Sequence, residues 1–374
     1  MTFYGVKMSS TITLTGSTIT LTGKYADAFF HTKNVDQNTL FQVKALIDCD
    51  LSEGSVIHIM PDCHTGKGCT IGTTMTINDK LCPNLVGVDV GCAILCLKVQ
   101  GDFSVDDFLD ACEKVPAGVG KYNSEMKEFD DLKNLSFKLD NPDQILRSIG
   151  SLGSGNHFIE LNEDEDGNRY IVIHSGSRNL GIQVCSHHMK IAKQTNPRGD
   201  LSFLTGTNFD DYLNDMRICQ TYAQKNRLEI GDTILRNLGN TRIVGAFVTV
   251  HNYIDFDDKI LRKGAISCSK GKKVLIPFNM RDGSVIAIGK GNPDWNFSGP
   301  HGAGRILSRT QARKSLTLED FQNAMTGISS RTVCQKTIDE APQVYKDAKE
   351  IENLISETVE VQKHLKVVAN FKGI

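Results

Sequence analysis

What the chain lacks narrows its function first. Its 42 Lys and Arg nearly balance 44 Asp and Glu, leaving a net charge of −2. No bulk positive field advertises nucleic acid, so any site for a polyanion must be a local basic patch. No stretch approaches the ~20 consecutive apolar residues of a membrane span. The N-terminus shows no basic start followed by an apolar run, so no secretory signal is expected. The 11 cysteines are odd in number, scattered, and include no Cys-x-x-Cys pair. That speaks against a disulfide framework, a zinc ribbon or a thioredoxin-like centre, and for a reducing compartment, the cytoplasm. Familiar nucleotide-binding signatures are missing too. There is no GxxxxGK(S/T) run and hence no P-loop. The nearest approach to GxGxxG, Gly153-Ser154-Gly155-Asn156-His157-Phe158, has Phe where the third glycine belongs. No Lys-x-Asp-Gly occurs either, so the lysine nucleophile of the conventional ATP-dependent ligases is absent.

What is present is a chain of 374 residues, 40% hydrophobic and 23% charged, an ordinary globular balance with ample length for a core. Ser10–Gly16 reads STITLTG and Ser17–Gly23 repeats it. Alternating Thr with Ile and Leu, closed by glycine, reads as edge strands or a hairpin; a duplicated start region is the alternative. Residues 1–23 are therefore expected to form a strand or hairpin extension, and 24–374 the main domain. Val56–Val99 alternates strand-like runs with turns. Asp102–Lys133, Asp140–Ser148, Ile182–Ala192, Phe209–Ile230, Asp232–Asn237, Thr317–Met325 and Ala348–Leu365 read as helical. Tyr170–Ile173, Val244–Val250 and Val274–Ile288 read as strands. Strands and helices mix without a strict βαβ rhythm, and no Pro/Ser-rich linker divides them. The expected class is α+β, a single interwoven domain with mixed or antiparallel sheets and surrounding helices.

Five segments put metal-ligand side chains at strand ends or in tight turns. Gly87 to Cys92 offers Asp89 and Cys92, three apart. Gly153 to His157 offers an imidazole after a flexible turn. His174 and His251 each follow an apolar strand, and His301 precedes a Gly-Ala-Gly turn. A strand end is rigid and its turn leaves room for substrate. Taken singly, each histidine reads as an ordinary core or surface residue, Cys92 as a small hydrophobe and Asp89 as a turn cap. Together, one carboxylate, one thiolate and several imidazoles suit a borderline divalent ion, or two if the thiolate bridges.

In these segments the sequence resembles the RtcB family of RNA ligases, over nearly the whole chain. The resemblance is carried by Met60-Pro61-Asp62-Cys63-His64, Gly87–Cys92, Gly153–Glu160, His174–Gly181, His251-Asn252, Arg262-Lys263-Gly264-Ala265, His301–Arg309, Asp339–Asp347 and Lys372-Gly373. It implies two manganese ions bridged by Cys92, with His157 and His174 completing one and Asp89 and His251 the other. His301 would be the nucleophile that takes GMP from GTP. Asn156, Glu160 and Asn252 would lie beside the metals and triphosphate, Tyr345 and Lys372 at the guanine, and Arg305 and Arg309 at phosphate. The partner would be RNA carrying 3′-phosphate or 2′,3′-cyclic phosphate and 5′-hydroxyl ends, in tRNA splicing or RNA repair. The resemblance leaves room for an activating partner protein. Thiolate and imidazole alone would favour zinc over manganese, so the ion is implied by the family. Arg262, Lys263, Lys270, Lys272 and Lys273 form one basic cluster, with Arg262 and Lys263 expected at RNA phosphate. Arg305, Arg309, Arg313 and Lys314 form another.

Two segments depart from the family pattern. Phe278-Asn279-Met280-Arg281-Asp282-Gly283-Ser284 stands where many relatives have Gly-Ser-Met-Gly, a region near the guanosine; Arg281 and Asp282 are placed to pair on the surface. Cys63 and Lys67 are unusual in the segment Pro61–Gly68. Two rival readings use the same residues differently: a metal-dependent phosphoesterase that hydrolyses RNA ends without joining them, and a noncatalytic RNA-binding subunit.

Overall fold

The computed structural model describes residues 12–15 and 18–374. Its strands in chain order are β1 (Ile12–Thr15), β2 (Thr18–Thr22), β3 (Asp27–Phe30), β4 (Ile57–His64), β5 (Ile71–Thr76), β6 (Ala93–Gln100), β7 (Phe158–Glu163), β8 (Arg169–Ser175), β9 (Arg242–Val250), β10 (Asn252–Asp255), β11 (Ile260–Lys263), β12 (Ala265–Ser267), β13 (Lys273–Asn279), β14 (Gly283–Gly289), β15 (Ser298–Pro300) and β16 (Val359–Phe371). The helices are α1 (Gln37–Ile47), α2 (Val105–Glu113), α3 (Pro142–Arg147), α4 (Arg178–Thr195), α5 (Thr207–Asn237), α6 (Arg309–Ser315), α7 (Leu318–Ala324) and α8 (Ala348–Ile355). None of these helices is long and apolar enough to cross a membrane.

The first sheet runs β1-β2-β3-β4-β5-β11-β10, with β3 and β4 parallel and the remaining pairs antiparallel. The repeated STITLTG forms the antiparallel pair β1–β2, Ile12 opposite Leu21; Ser10, Thr11, Gly16 and Ser17 lie outside the described residues. The second sheet, β13-β14-β16-β7-β8-β6-β9, is antiparallel throughout. Its two outer strands meet where the Leu275 amide donates to Thr249 Oγ1 at 3.0 Å. Mixed and antiparallel sheets with helices around them are the α+β arrangement expected from the sequence.

Register in the second sheet positions the site. Ala93 lies opposite both Ser175 and Val250, and His174 lies opposite both Ile94 and Phe158. In an antiparallel sheet, the starts of β6 and β7 and the ends of β8 and β9 therefore share one rim. The residues just beyond or at those ends are Cys92, His157, His174 and His251.

Helix α5 braces that rim from below. Tyr212, Met216, Cys219, Ala223, Ile230 and Ile234 recur every three or four residues and are all buried, as a helix packed along one face requires. Its first half joins the core of the first sheet through Tyr212, Met216 and Tyr222; its second half joins that of the second sheet through Ile230 and Ile234. Between the halves sit the buried Asn226 and Arg227. Asn226 accepts from the Gly150 and Ser151 amides and donates to Ser175 Oγ and Gly176 O. Arg227 donates to Gly91 O at 2.8 Å and Ser175 O at 2.9 Å.

Three sequence expectations are corrected. Ala348–Leu365 is not one helix: α8 stops at Ile355 and β16 follows, because Val359, Leu365 and Val367 sit on a period-two pattern that faces a core. Asp102–Lys133 is helical only over Val105–Glu113, with a single 3-10 turn at Asp130–Asn134; Gly118 and Gly120 take positive φ and break it. Phe209–Asn237 is continuous through Gly231, which packs at ordinary contact distance on Leu97, Ile173 and Leu95 of the sheet.

Asn226→Leu strands two buried amides, at Gly150 and Ser151. Urea unfolding is expected to show a loss of roughly 2–4 kcal/mol. A loss below ~0.5 kcal/mol would mean that the brace is dispensable.

Candidate metal centre

The rim gathers all five expected ligands. His157 Nε2 lies 2.8 Å from Asp89 Oδ2 and 3.4 Å from Cys92 Sγ. His174 Nε2 lies 3.2 Å from Cys92 Sγ and 3.2 Å from His251 Nε2. The donors thus form a chain with Cys92 at its centre, Asp89 at one end and His251 at the other. The donor atoms of Cys92, His157 and His174 all lie within 4.8 Å of one another. The backbone holds them there. The His251 amide donates to Cys92 O, the Ser177 amide to Asp89 Oδ1, and Asn252 Nδ2 to Asp89 O. At Gly176 a Cβ would lie 2.0 Å from Asp89 Oδ1, so only glycine lets that carboxylate in.

The chemistry of the set fits a divalent cation. His174 Nδ1 faces the Asn156 carbonyl at 3.1 Å. A carbonyl only accepts, so Nδ1 carries the proton and Nε2 presents a bare lone pair to its neighbours. His157 Nδ1 lies 2.9 Å from the Leu152 carbonyl and 3.0 Å from Arg178 Nη1, an acceptor and a donor at one nitrogen. Buried His251 Nδ1 has no partner. Burial and the neighbouring imidazoles push His174 and His251 well below the ordinary histidine range, which keeps them neutral and able to ligate. Burial and Asp89 push the Cys92 thiol up; a bound divalent cation reverses that bias. Burial alone would raise Asp89, but His157 and Arg178 outweigh it and hold the carboxylate ionised.

His301 stands beside this centre, its ring centroid 5.0 Å from that of His251. Its Nδ1 bonds Asp62 Oδ2 at 2.6 Å, and its amide donates to the same oxygen. Asp62 was legible only as part of the Pro-Asp-Cys-His run; its role depends on a contact spanning 239 residues. A cavity of about 1090 Å³ opens here, lined among others by Asn156, Glu160, His301, Arg305, Arg309, Tyr345 and Lys372. Glu340 ties several of these together, taking Tyr345 Oη at 2.7 Å, Lys372 Nζ at 3.3 Å and Arg305 at 3.3 Å. Arg309 and Arg313 both reach Asp339. Asn252 is a strut: it accepts from the Gly264 amide and donates to Asp89 O. Arg178, quoted in a motif without a role, has a positive φ of 55° and packs on His157.

Two expected phosphate contacts are not available. Arg262 is fully buried, its guanidinium bonded to Ser298, Tyr253 and Asp258. Buried Lys263 donates to Lys67 O, Cys69 Sγ and Asn84 O. A basic run reads alike in sequence whether it faces solvent or carries internal bonds. In the departing turn, Asn279 Oδ1 accepts from the Arg281 and Asp282 amides, so its acceptor is spent within the turn. Arg281 and Asp282 pair at 2.7 Å, as expected.

Glu160 is buried beside Asn370 and Asn162; burial pushes its carboxyl up to about 7, against the pull of those amides and Lys372. A carboxyl that binds its proton more tightly when folded adds stability at low pH, and that contribution is lost as pH rises from about 4.5 to about 7. Glu160→Gln is therefore expected to flatten the fall in unfolding free energy between pH 5 and pH 8, by up to roughly 3 kcal/mol. Parallel urea-stability curves for parent and variant would contradict this.

Comparison with known proteins agrees with the geometry. The family model described as tRNA-splicing ligase RtcB matches residues 50–136 and 120–373. RNA-splicing ligase RtcB of Escherichia coli strain K12 is 30% identical, over 85% of this chain and 90% of its own length. RNA-splicing ligase RtcB1 of Escherichia coli strain ATCC 25922 is 32% identical with the same coverage. The tRNA-splicing ligase RtcB of Nanoarchaeum equitans is 25% identical over 84% of this chain. With its donor rim, supported histidine and full-length similarity in agreement, the chain belongs to the RtcB family of RNA-splicing ligases.

Proposed function

We propose that this chain joins RNA ends bearing a 3′-phosphate or 2′,3′-cyclic phosphate to 5′-hydroxyl ends, using GTP through a histidine–GMP intermediate. The observation that carries the reading is His301: a histidine held at Nδ1 by a buried carboxylate, 5.0 Å between ring centroids from His251, at the wall of a cavity large enough for a nucleotide and an RNA end. Because Asp62 accepts a hydrogen bond from Nδ1–H and so keeps the proton there, Nε2 presents its lone pair to phosphorus. Two manganese ions held by Asp89, Cys92, His157, His174 and His251 would supply neutralisation of triphosphate charge.

In the first step His301 Nε2 attacks the α-phosphorus of GTP; the P–N bond forms and pyrophosphate leaves. Asp62 stabilises the imidazolium that results. In the second, an oxygen of the RNA 3′-phosphate attacks the GMP phosphorus and His301 leaves with its lone pair restored. A cyclic end is first opened by water. In the third, the 5′-hydroxyl attacks the activated RNA phosphate, its proton is lost, and GMP departs. Tyr345 and Lys372 would hold the guanine, with Arg305 and Arg309 near phosphate and Asn156, Glu160 and Asn252 beside the metals and triphosphate. All 11 cysteines are unpaired, which supports a reducing compartment such as the cytoplasm. Splicing of tRNA and repair of cleaved RNA both present these ends.

Intact mass after incubation with manganese and GTP tests the reading. The parent should gain one GMP and His301→Ala none. Retained attachment in the variant would refute the nucleophile. No attachment to folded, metal-loaded parent protein would favour a phosphoesterase.

A further inference from the structure

The cavity wall around His301 is of two kinds. One part carries the groups proposed for guanosine. The other is built from the end of β4 and the segment before and into α1, and presents Asn34, Asn38, His64, Thr65 and Lys67, none of which the chemistry above uses. His64 shares the nucleophile's own support. Its Nδ1 donates to the backbone oxygen of Asp62 at 3.0 Å, while the Asp62 carboxylate holds His301. The ring proton is therefore fixed on Nδ1, and Nε2 is a bare lone pair. Among the described residues nothing hydrogen-bonds that Nε2, although the ring lies in the cavity wall. Burial keeps the ring neutral, its pKa pushed down to about 4. His64 Nε2 is thus a fixed acceptor that meets no protein donor among the described residues and faces the cavity.

Lys67 complements it. Its side chain is exposed at the same wall and meets no carboxylate among the described residues. The acidic group of this wall, Asp36, is engaged by the Thr39 amide and by the Thr39 and Thr65 hydroxyls. An RNA 3′ end offers the matching pair of groups. Its 2′-hydroxyl is the donor adjacent to the 3′-phosphate, and its phosphates are anions. His64 and His301 both contact Asp62 and both line this cavity, so the two rings stand on one part of its wall.

We propose that this wall seats the RNA strand ending in the 3′-phosphate, with His64 Nε2 accepting from the terminal ribose 2′-hydroxyl and Lys67 facing a phosphate of the same strand. The inference rests on the ligase reading above and adds a strand to one side of the cavity. His64 then distinguishes ribose from deoxyribose at the end to be activated.

The test is equilibrium binding, by fluorescence anisotropy, of short manganese-equilibrated RNAs ending in 3′-phosphate, with ribose or 2′-deoxyribose at the last nucleotide. The parent should bind the ribose end about 5-fold tighter, the worth of one neutral hydrogen bond. His64→Ala should bring the two affinities to within about 2-fold. His64→Gln, which keeps a neutral acceptor, should retain part of the preference. Lys67→Ala should weaken both ends alike and reduce the slope of log affinity against log salt by about one. A parent without preference, or His64→Ala that keeps it, overturns the proposal. So does a loss confined to a control strand with a 5′-hydroxyl and no 3′-phosphate, which would place the other strand here. GMP attachment to the same proteins reports separately on the ligase reading. Collapse of the preference without GMP uptake by the parent would sink that reading and keep the RNA seat; GMP uptake with an unchanged preference would do the reverse.

Discussion

The shared rim of four antiparallel strands is the constraint on which the rest depends. Strands β7, β8, β6 and β9 are hydrogen-bonded neighbours, and their register brings two strand starts and two strand ends level. A one-residue slip of β8 would turn His174 to the opposite face of the sheet and move His157 away from its partner across the pair. No loop rearrangement could then restore the donor chain from Asp89 to His251. The donor chain is accordingly a property of sheet register: Cys92, His157 and His251 adjoin strand ends, His174 lies within β8, and only Asp89 is set back in the turn before β6.

A rim of this kind concentrates unsatisfied groups, and helix α5 is the device that answers them. Asn226 and Arg227 lie midway along it, where its packing passes from one core to the other, and together they bond the turns that carry Cys92 and His174. Burying an arginine costs several kcal/mol unless its donors are met. Here two backbone carbonyls meet Nη1 while the buried Nε has no protein partner among the described residues, and the two Nη1 bonds tie the helix to the site. His301 is supported independently, by Asp62 from the first sheet. The two sheets thus contribute different parts of the chemistry, ligands from one and the histidine's carboxylate from the other, and their packing brings the parts together.

Much of this was legible in the sequence because the chemistry sits where local signals are strong. His174 and His251 follow apolar runs that could only be strands, and Asp89, Cys92 and His157 lie among glycines that no helix would tolerate. What was illegible depended on distance or on context. The Asp62–His301 bond joins residues 239 apart, and no spacing argument reaches that far. Arg262 and Lys263 look like a phosphate site until burial shows their donors spent on the protein's own oxygens, with a thiol beside Lys263. The run after Ile355 holds enough Glu, Lys and Leu to read as helix, and only pairing with β14 and β7 makes it a strand. Gly231 looked like a break, but the helix runs through it and is held by packing on both sides of the chain.

Cys92 lies at the middle of the donor chain, and on the proposed function its one thiolate would serve two ions. Metal content measured by mass spectrometry on manganese-equilibrated, gel-filtered protein tests it most directly. The account predicts two manganese per parent chain and close to none in Cys92→Ala, with the variant still folded. Two ions retained by the variant would contradict the bridge, and one retained ion would mean that Cys92 serves a single site.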